Sequence, residues 1–193
     1  MLSLILVVSF LLVVVFFRVF VQYRRTGDFG VRFAKIGTPL IEILPGTVFV
    51  LTFILAVAFV IFGYLGKIQK TVNLPIAAQY IGLLVGLTGI SVTVISQFQM
   101  GDSWRIGVDQ KENTTLITHG LYSKSRNPIY FGIFLFWIGL SITFPNELLW
   151  ICALICWGCI ELIVRKNEEP YLKELHGQVF EDYFARTNRY LIL

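Results

Sequence analysis

Residues 116–132 read Leu-Ile-Thr-His-Gly-Leu-Tyr-Ser-Lys-Ser-Arg-Asn-Pro-Ile-Tyr-Phe-Gly, and the fold turns on the change of character at Pro128. Before the proline the chain is polar; after it, from Ile129 to Phe144, no charged residue occurs. A proline in the first turn of a helix gives up only an N–H that has no intrahelical partner, and it biases the preceding residue away from helical backbone. The stretch therefore predicts extended chain giving way abruptly to a membrane helix. Gly120, Tyr122, Arg126, Asn127, Pro128 and Tyr130 crowd two phenols, a guanidinium and a carboxamide against that boundary. Such a cluster suits a small-molecule site at the membrane edge, and it equally suits a solvated loop with aromatic and basic anchors.

The rest of the chain supports the membrane reading. Of 193 residues 56% are hydrophobic and only 15% charged, with a mean hydropathy of +0.74, outside the range of soluble domains. Apolar runs of spanning length are expected at about residues 1–17, 43–65, 74–98, 129–144 and 148–164, the last two short enough to need tilt or local thinning. The first run has neither a basic start nor a small-residue cleavage pattern and reads as a retained span. Residues 18–39, with five basic side chains among glycines, read as an interfacial loop. Pro145-Asn146-Glu147 reads as a tight hairpin between the last two spans. From Arg165 the tail is charged and amphipathic, with Leu172, Leu175, Val179 and Phe184 at helical intervals, a pattern for a helix at the membrane surface or packed on the loop. The expected fold is all-α: a single polytopic membrane domain over residues 1–193, with about five transmembrane helices and a C-terminal interfacial helix.

Charge sets the orientation. With five spans, residues 18–35, 99–127 and the tail share one side and carry fourteen Lys and Arg, against two on the other. The positive-inside rule makes the basic side cytoplasmic, so the 116–132 stretch and the tail meet in the cytoplasm.

Several residues invite chemical readings. Cys152, Cys156 and Cys159 lie along one helical face with no histidine nearby, a pattern for packing and not for a metal. Gly82, Gly86 and Gly89 follow no strand and read as a close-packing helix face, not a nucleotide loop. Glu161, Arg165 and Glu168 share a face of one continuous helix, where Glu161 can pair with Arg165 and Glu168 can complete a pocket with Tyr122, Arg126 and Tyr130. An interfacial ion pair at a solvated helix start accounts for the same residues.

Gly120-Leu121-Tyr122, Arg126-Asn127-Pro128-Ile129-Tyr130, Glu168-Glu169, Gly177 and Tyr183 together resemble the C-terminal half of the isoprenylcysteine carboxyl methyltransferase family, whose wider relatives include phospholipid N-methyltransferases. The resemblance covers about residues 104–190. It implies a membrane enzyme that binds S-adenosyl-L-methionine in a cytoplasm-facing cleft without a Rossmann domain and admits a lipophilic or prenylated acceptor sideways from the bilayer. Carried over by position, it implies cofactor contacts at Thr114, Thr115, Leu116 and Ile117 through their backbone, at Tyr122, at Asn127, Pro128, Ile129 and Tyr130, and at Glu168. Arg126 and Arg165 remain free for an anion and are the candidate catalytic residues, Arg165 positioning a substrate carboxylate. That acceptor needs no general base, and neither His119 nor His176 is well placed to serve an amine. Asn127 stands where relatives carry histidine, and the C-terminus lacks their proline. The alternatives at this stage are a lipid N-methyltransferase, a reductase of the membrane sterol type using reduced nicotinamide dinucleotide phosphate, and a scaffold without activity.

Overall fold

The computed structural model describes residues 1–30, 40–105 and 115–190. Among them the chain is helical with no strand. The helices are α1 (Leu2–Thr26), α2 (Leu40–Tyr64), α3 (Ile76–Gln99), α4 (Pro128–Thr143), α5 (Glu147–His176) and α6 (Gln178–Arg186). Four of them, α1, α2, α3 and α5, are long and apolar enough to cross a membrane. With 16 residues α4 is shorter, reaching about 24 Å at the usual rise. It begins at Pro128 in its first turn, as the opening stretch predicts.

The tightest packing in the molecule joins α3 to α4. A Cβ on Gly89 would lie 2.5 Å from the Gly132 carbonyl oxygen and from the Phe136 amide nitrogen. One on Gly139 would run into the backbone of Gly82 and Gly86. Small residues let two helix backbones touch, so dispersion and backbone contacts replace the hydrophobic drive that lipid does not supply. The glycines of α3 are thus a packing face, as their spacing predicts. Leu6, Phe10, Val60, Phe136, Trp137, Leu140, Leu149 and Cys156 fill the core beside this seam. All three cysteines are free and buried.

The connections sort to two ends. At one end the Thr71 amide donates to the Pro145 carbonyl at 2.8 Å and the Asn146 side chain to the Gln69 carbonyl at 3.2 Å. At the other, α1 meets residues 101–104, and the 115–127 segment meets the tail.

Two expectations differ from the structure. The first helix does not stop near residue 17: it continues through Arg18 and Gln22 to Thr26, with a π-helical stretch at Phe10–Phe17, where an interfacial loop was expected. Arg18 is turned inward, only 1% exposed, so its charge meets neither lipid nor water and does not end the helix. The tail is not one surface helix either. Helix α5 runs past the apolar run to His176, with a π-helical turn at Val164–Glu168, and Gly177 (φ +52°) breaks the chain before α6.

Candidate active site between the 115–127 segment and the tail

Residues 115–118 have no regular structure, and no backbone hydrogen bond joins Leu116, Ile117 and Thr118 to other described residues. His119 is extended, and Gly120 takes φ +62° with its α-carbon pressed against the Gln99 carboxamide. The Gln99 oxygen accepts from the Leu121 amide at 2.9 Å. A side chain at 120 would meet both the left-handed backbone and Gln99, so glycine is required there. The 3₁₀ turn Gly120–Ser123 then buries Tyr122.

The tail returns over this turn. The Tyr183 hydroxyl donates to the Tyr122 carbonyl at 2.6 Å. Backbone pairing follows: the Arg126 amide donates to Asn188 O at 2.8 Å and the Asn127 amide to Arg189 O at 3.1 Å. The Ser125 hydroxyl and the Asn127 carboxamide donate to the same Arg189 carbonyl, at 3.0 and 3.4 Å. Arg126 lies over the Phe184 ring at 3.9 Å and donates to Phe184 O, Thr187 O and Glu169. Glu169 also receives both N–H groups of Arg189, at 3.0 and 2.8 Å, in a fork geometry.

At the centre, the Tyr130 hydroxyl donates to Glu168 Oε1 at 2.5 Å. Tyr122 and Tyr190 lie within electrostatic reach of the same carboxylate. The Tyr190 ring packs on Trp157 at 4.7 Å. Arg105 donates to the Tyr171 hydroxyl at 3.1 Å and also acts electrostatically on Glu168. Burial, then the Glu168 charge, pushes the Tyr122 phenol far above its ordinary range, and burial pushes Tyr183 up to about 12. Burial and the Glu161 carboxylate raise Tyr190. The hydrogen bond to Glu169 raises Arg189. Tyr122, Tyr130 and Tyr190 thus place three phenols around the one Glu168 carboxyl group.

Of the residues singled out in the sequence, Tyr122, Tyr130 and Glu168 come together, with Asn127, Pro128 and Ile129 on the backbone between them. Thr115 is exposed and Leu116 and Ile117 half-buried beside them in sequence; Thr114 lies outside the described residues. Arg165 pairs with Glu161 at 2.6 Å, as its spacing predicts. The expectation that Arg126 is free for an anion differs from the structure, whereas Arg165 keeps an exposed side chain. Arg126 is held by two carbonyls and a carboxylate, because tail and segment close upon it, and Arg165 shares its charge with Glu161.

Sequence reasoning gave no role to Glu169, Gln99, Arg105 or Arg189. Adjacent residues on a helix point about 100° apart, so of Glu168-Glu169 only one can face the tyrosines and the other must face elsewhere. That geometry was available from the sequence; its arginine partners were not.

These features define a class: helical membrane proteins whose polar site is assembled where a juxtamembrane segment and a returning tail meet at one end of the bundle. The comparison with known families is specific. The chain belongs to the phospholipid methyltransferase family, whose profile matches residues 77–179, from the start of α3 into α6. The match takes in Tyr122, Asn127, Pro128, Tyr130 and Glu168. Among curated proteins, the chain is 25% identical over 112 residues to a probable protein-S-isoprenylcysteine O-methyltransferase of Oryza sativa subsp. indica, and equally to that of subsp. japonica. The alignment covers 56% of this chain, which spans 58% of the length of each relative.

Proposed function

We propose that this protein is a membrane methyltransferase that uses S-adenosyl-L-methionine to methylate a carboxylate on a lipophilic acceptor of the isoprenylcysteine kind, at the cytoplasmic end of the bundle. The observation that carries the reading is the buried Tyr130–Glu168 pair at 2.5 Å, which lies with Tyr122 inside the family match and has Tyr190 within electrostatic reach. The donor set fits the methyl donor. A carboxylate accepts from ribose hydroxyls or an ammonium, phenol faces attract a sulfonium, and the backbone at 116–118, which pairs with no other described backbone, offers donors and acceptors to an adenine edge. Glu168, Tyr122, Tyr130 and the backbone of Thr114 to Ile117 would hold it, with Asn127, Pro128 and Ile129 shaping the wall. The bound cofactor supplies an electrophilic methyl group.

The chain's own residues do the rest. Tyr130 fixes one oxygen of Glu168, so the carboxylate presents a defined lone pair to the ligand. The tail closes over Tyr122 and Ser125 to Asn127 and shields that part of the segment from water. An acceptor carboxylate is ionised at neutral pH and is itself the nucleophile, so orientation and dryness are what the protein must provide. Arg165, 57% exposed at the side chain and paired among the described residues with Glu161, is the residue for that carboxylate; Arg126, held by the tail, supports the fold of the site. The basic end of the bundle supports a cytoplasmic orientation.

A second reading, phospholipid N-methylation, is favoured by the family profile itself. The test is transfer of a labelled methyl group from S-adenosyl-L-methionine by purified protein to a prenyl-cysteine acid and to phosphatidylethanolamine, side by side. Transfer to the acid supports the carboxylate reading. Transfer to the phospholipid alone replaces it with the second, and absence of donor binding overturns both.

A further inference from the structure

Helix α1 lies outside the 77–179 family match, yet one of its faces holds the segment that leads into the site. Arg18, Gln22 and Arg25 share that face at helical spacing. The Arg18 guanidinium donates to the Gly101 carbonyl at 2.7 Å and stacks over the Trp104 ring at 4.4 Å, with Phe98 at 5.5 Å. The Gln22 amide donates to the Asp102 carbonyl at 3.0 Å, and Arg25 pairs with the Asp102 carboxylate at 3.0 Å. Gly30 also approaches Trp104, and its missing Cβ would stand 3.1 Å from the indole. Trp104, 3% exposed, is therefore held by contacts to a guanidinium and to a glycine backbone.

The next residue is Arg105, which reaches Tyr171 and acts on Glu168. A one-residue link between a held indole and a site arginine leaves little slack. Stability alone gives a poor account of Arg18: its Nε and Nη1 are buried without a hydrogen-bond partner among the described residues, a costly arrangement for a guanidinium. The planar face of arginine is what the stack uses, and its fork is what reaches Gly101.

Resting on the donor site proposed above, we propose that Arg18 is a positioning residue for methyl-donor binding. By fixing Gly101 and Trp104 it sets Arg105 against Tyr171 and Glu168, so that α1 belongs to the catalytic unit.

The experiment uses the full chain in lipid nanodiscs. Wild type, Arg18→Met, Arg105→Met, the double variant and Arg18→Lys are titrated with S-adenosyl-L-methionine and assayed for methyl transfer, with a melting curve for each. Arg18→Met is expected to weaken donor binding and raise the donor KM about tenfold, with kcat and the acceptor KM within twofold. The double variant is expected to bind no more weakly than Arg105→Met, because the two residues act in series. Arg18→Lys should recover part of the loss. A merely structural role would lower the melting temperature and add to the Arg105→Met loss, and additive losses or unchanged donor binding in Arg18→Met overturn the proposal. If Arg18→Met does not accumulate, the same cycle is read with Arg18→Lys. Failure of wild type to bind the donor would instead remove the functional reading beneath it.

Discussion

Replacing Glu169 with alanine should unfasten the tail while leaving the helix bundle intact. The carboxylate takes three hydrogen bonds, two from Arg189 at 3.0 and 2.8 Å and one from Arg126 at 3.2 Å. The three side chains are 14%, 20% and 9% exposed. Removing one partner of a buried ion pair costs about 3–5 kcal/mol, and the residual solvent contact brings this case below that range, to about 2–3 kcal/mol. The loss falls on tail docking, since neither arginine contributes to the α3–α4 seam. At 1.4 kcal/mol per factor of ten, the open population of the tail rises about 30- to 150-fold. Hydrogen exchange reads this directly, because the Arg126 and Asn127 amides donate to Asn188 and Arg189 carbonyls. Their exchange should quicken by that factor while amides of α3 and α4 keep their rates. Trp157 emission should change as well, since Tyr190 leaves its ring. Unchanged exchange at Arg126 and Asn127 would refute the reasoning, as would uniform acceleration across the whole protein.

Tyr130→Phe removes the hydrogen bond to Glu168 and, at about 1.5–3 kcal/mol for a bond to a charged group, should weaken S-adenosyl-L-methionine binding at least tenfold by calorimetry. Gly89→Ala places a methyl 2.5 Å from backbone atoms of α4 and should lower the melting temperature by several degrees, from about 1–3 kcal/mol of overpacking. Gly158→Ala, whose Cβ meets nothing within 4 Å, should leave it unchanged or slightly raised. Arg165→Ala should raise the acceptor KM with little effect on stability, because its ion pair is largely exposed. Full transfer at an unchanged acceptor KM would remove Arg165 from the substrate's carboxylate.

What the sequence made legible were local periodicities and local chemistry. The apolar runs, the Pro128 helix start, the glycine face of α3 and the Glu161–Arg165 pair all follow from spacing along one helix. What it hid were partnerships across distance. Arg18 looked like the end of a span because a charge after seventeen mostly apolar residues ordinarily marks an interface; only the indole of Trp104, 86 residues on, turns it inward. Arg126 looked free because nothing in its neighbourhood of sequence shows that carbonyls of residues 184 and 187 will close over it. The tail looked like one helix because the amphipathic spacing passes through Gly177 without a break in pattern, whereas the backbone turns there.

The Glu168-Glu169 pair shows how so short a polar inventory can build both a site and its closure. On a helix the two carboxylates diverge, so Glu168 faces Tyr130 and Glu169 faces Arg126 and Arg189. One acid is bonded to the phenol of α4 while its neighbour ties down the tail. The tie runs back into the same segment: Arg126, gripped by Glu169, immediately precedes Asn127 and Pro128, which launch the helix carrying Tyr130. The tail is therefore joined through Arg126 to the start of the helix that carries the phenol bonded to Glu168. In this arrangement the closure of the tail and the setting of the Glu168 carboxyl group are linked through Arg126, Asn127, Pro128 and Tyr130.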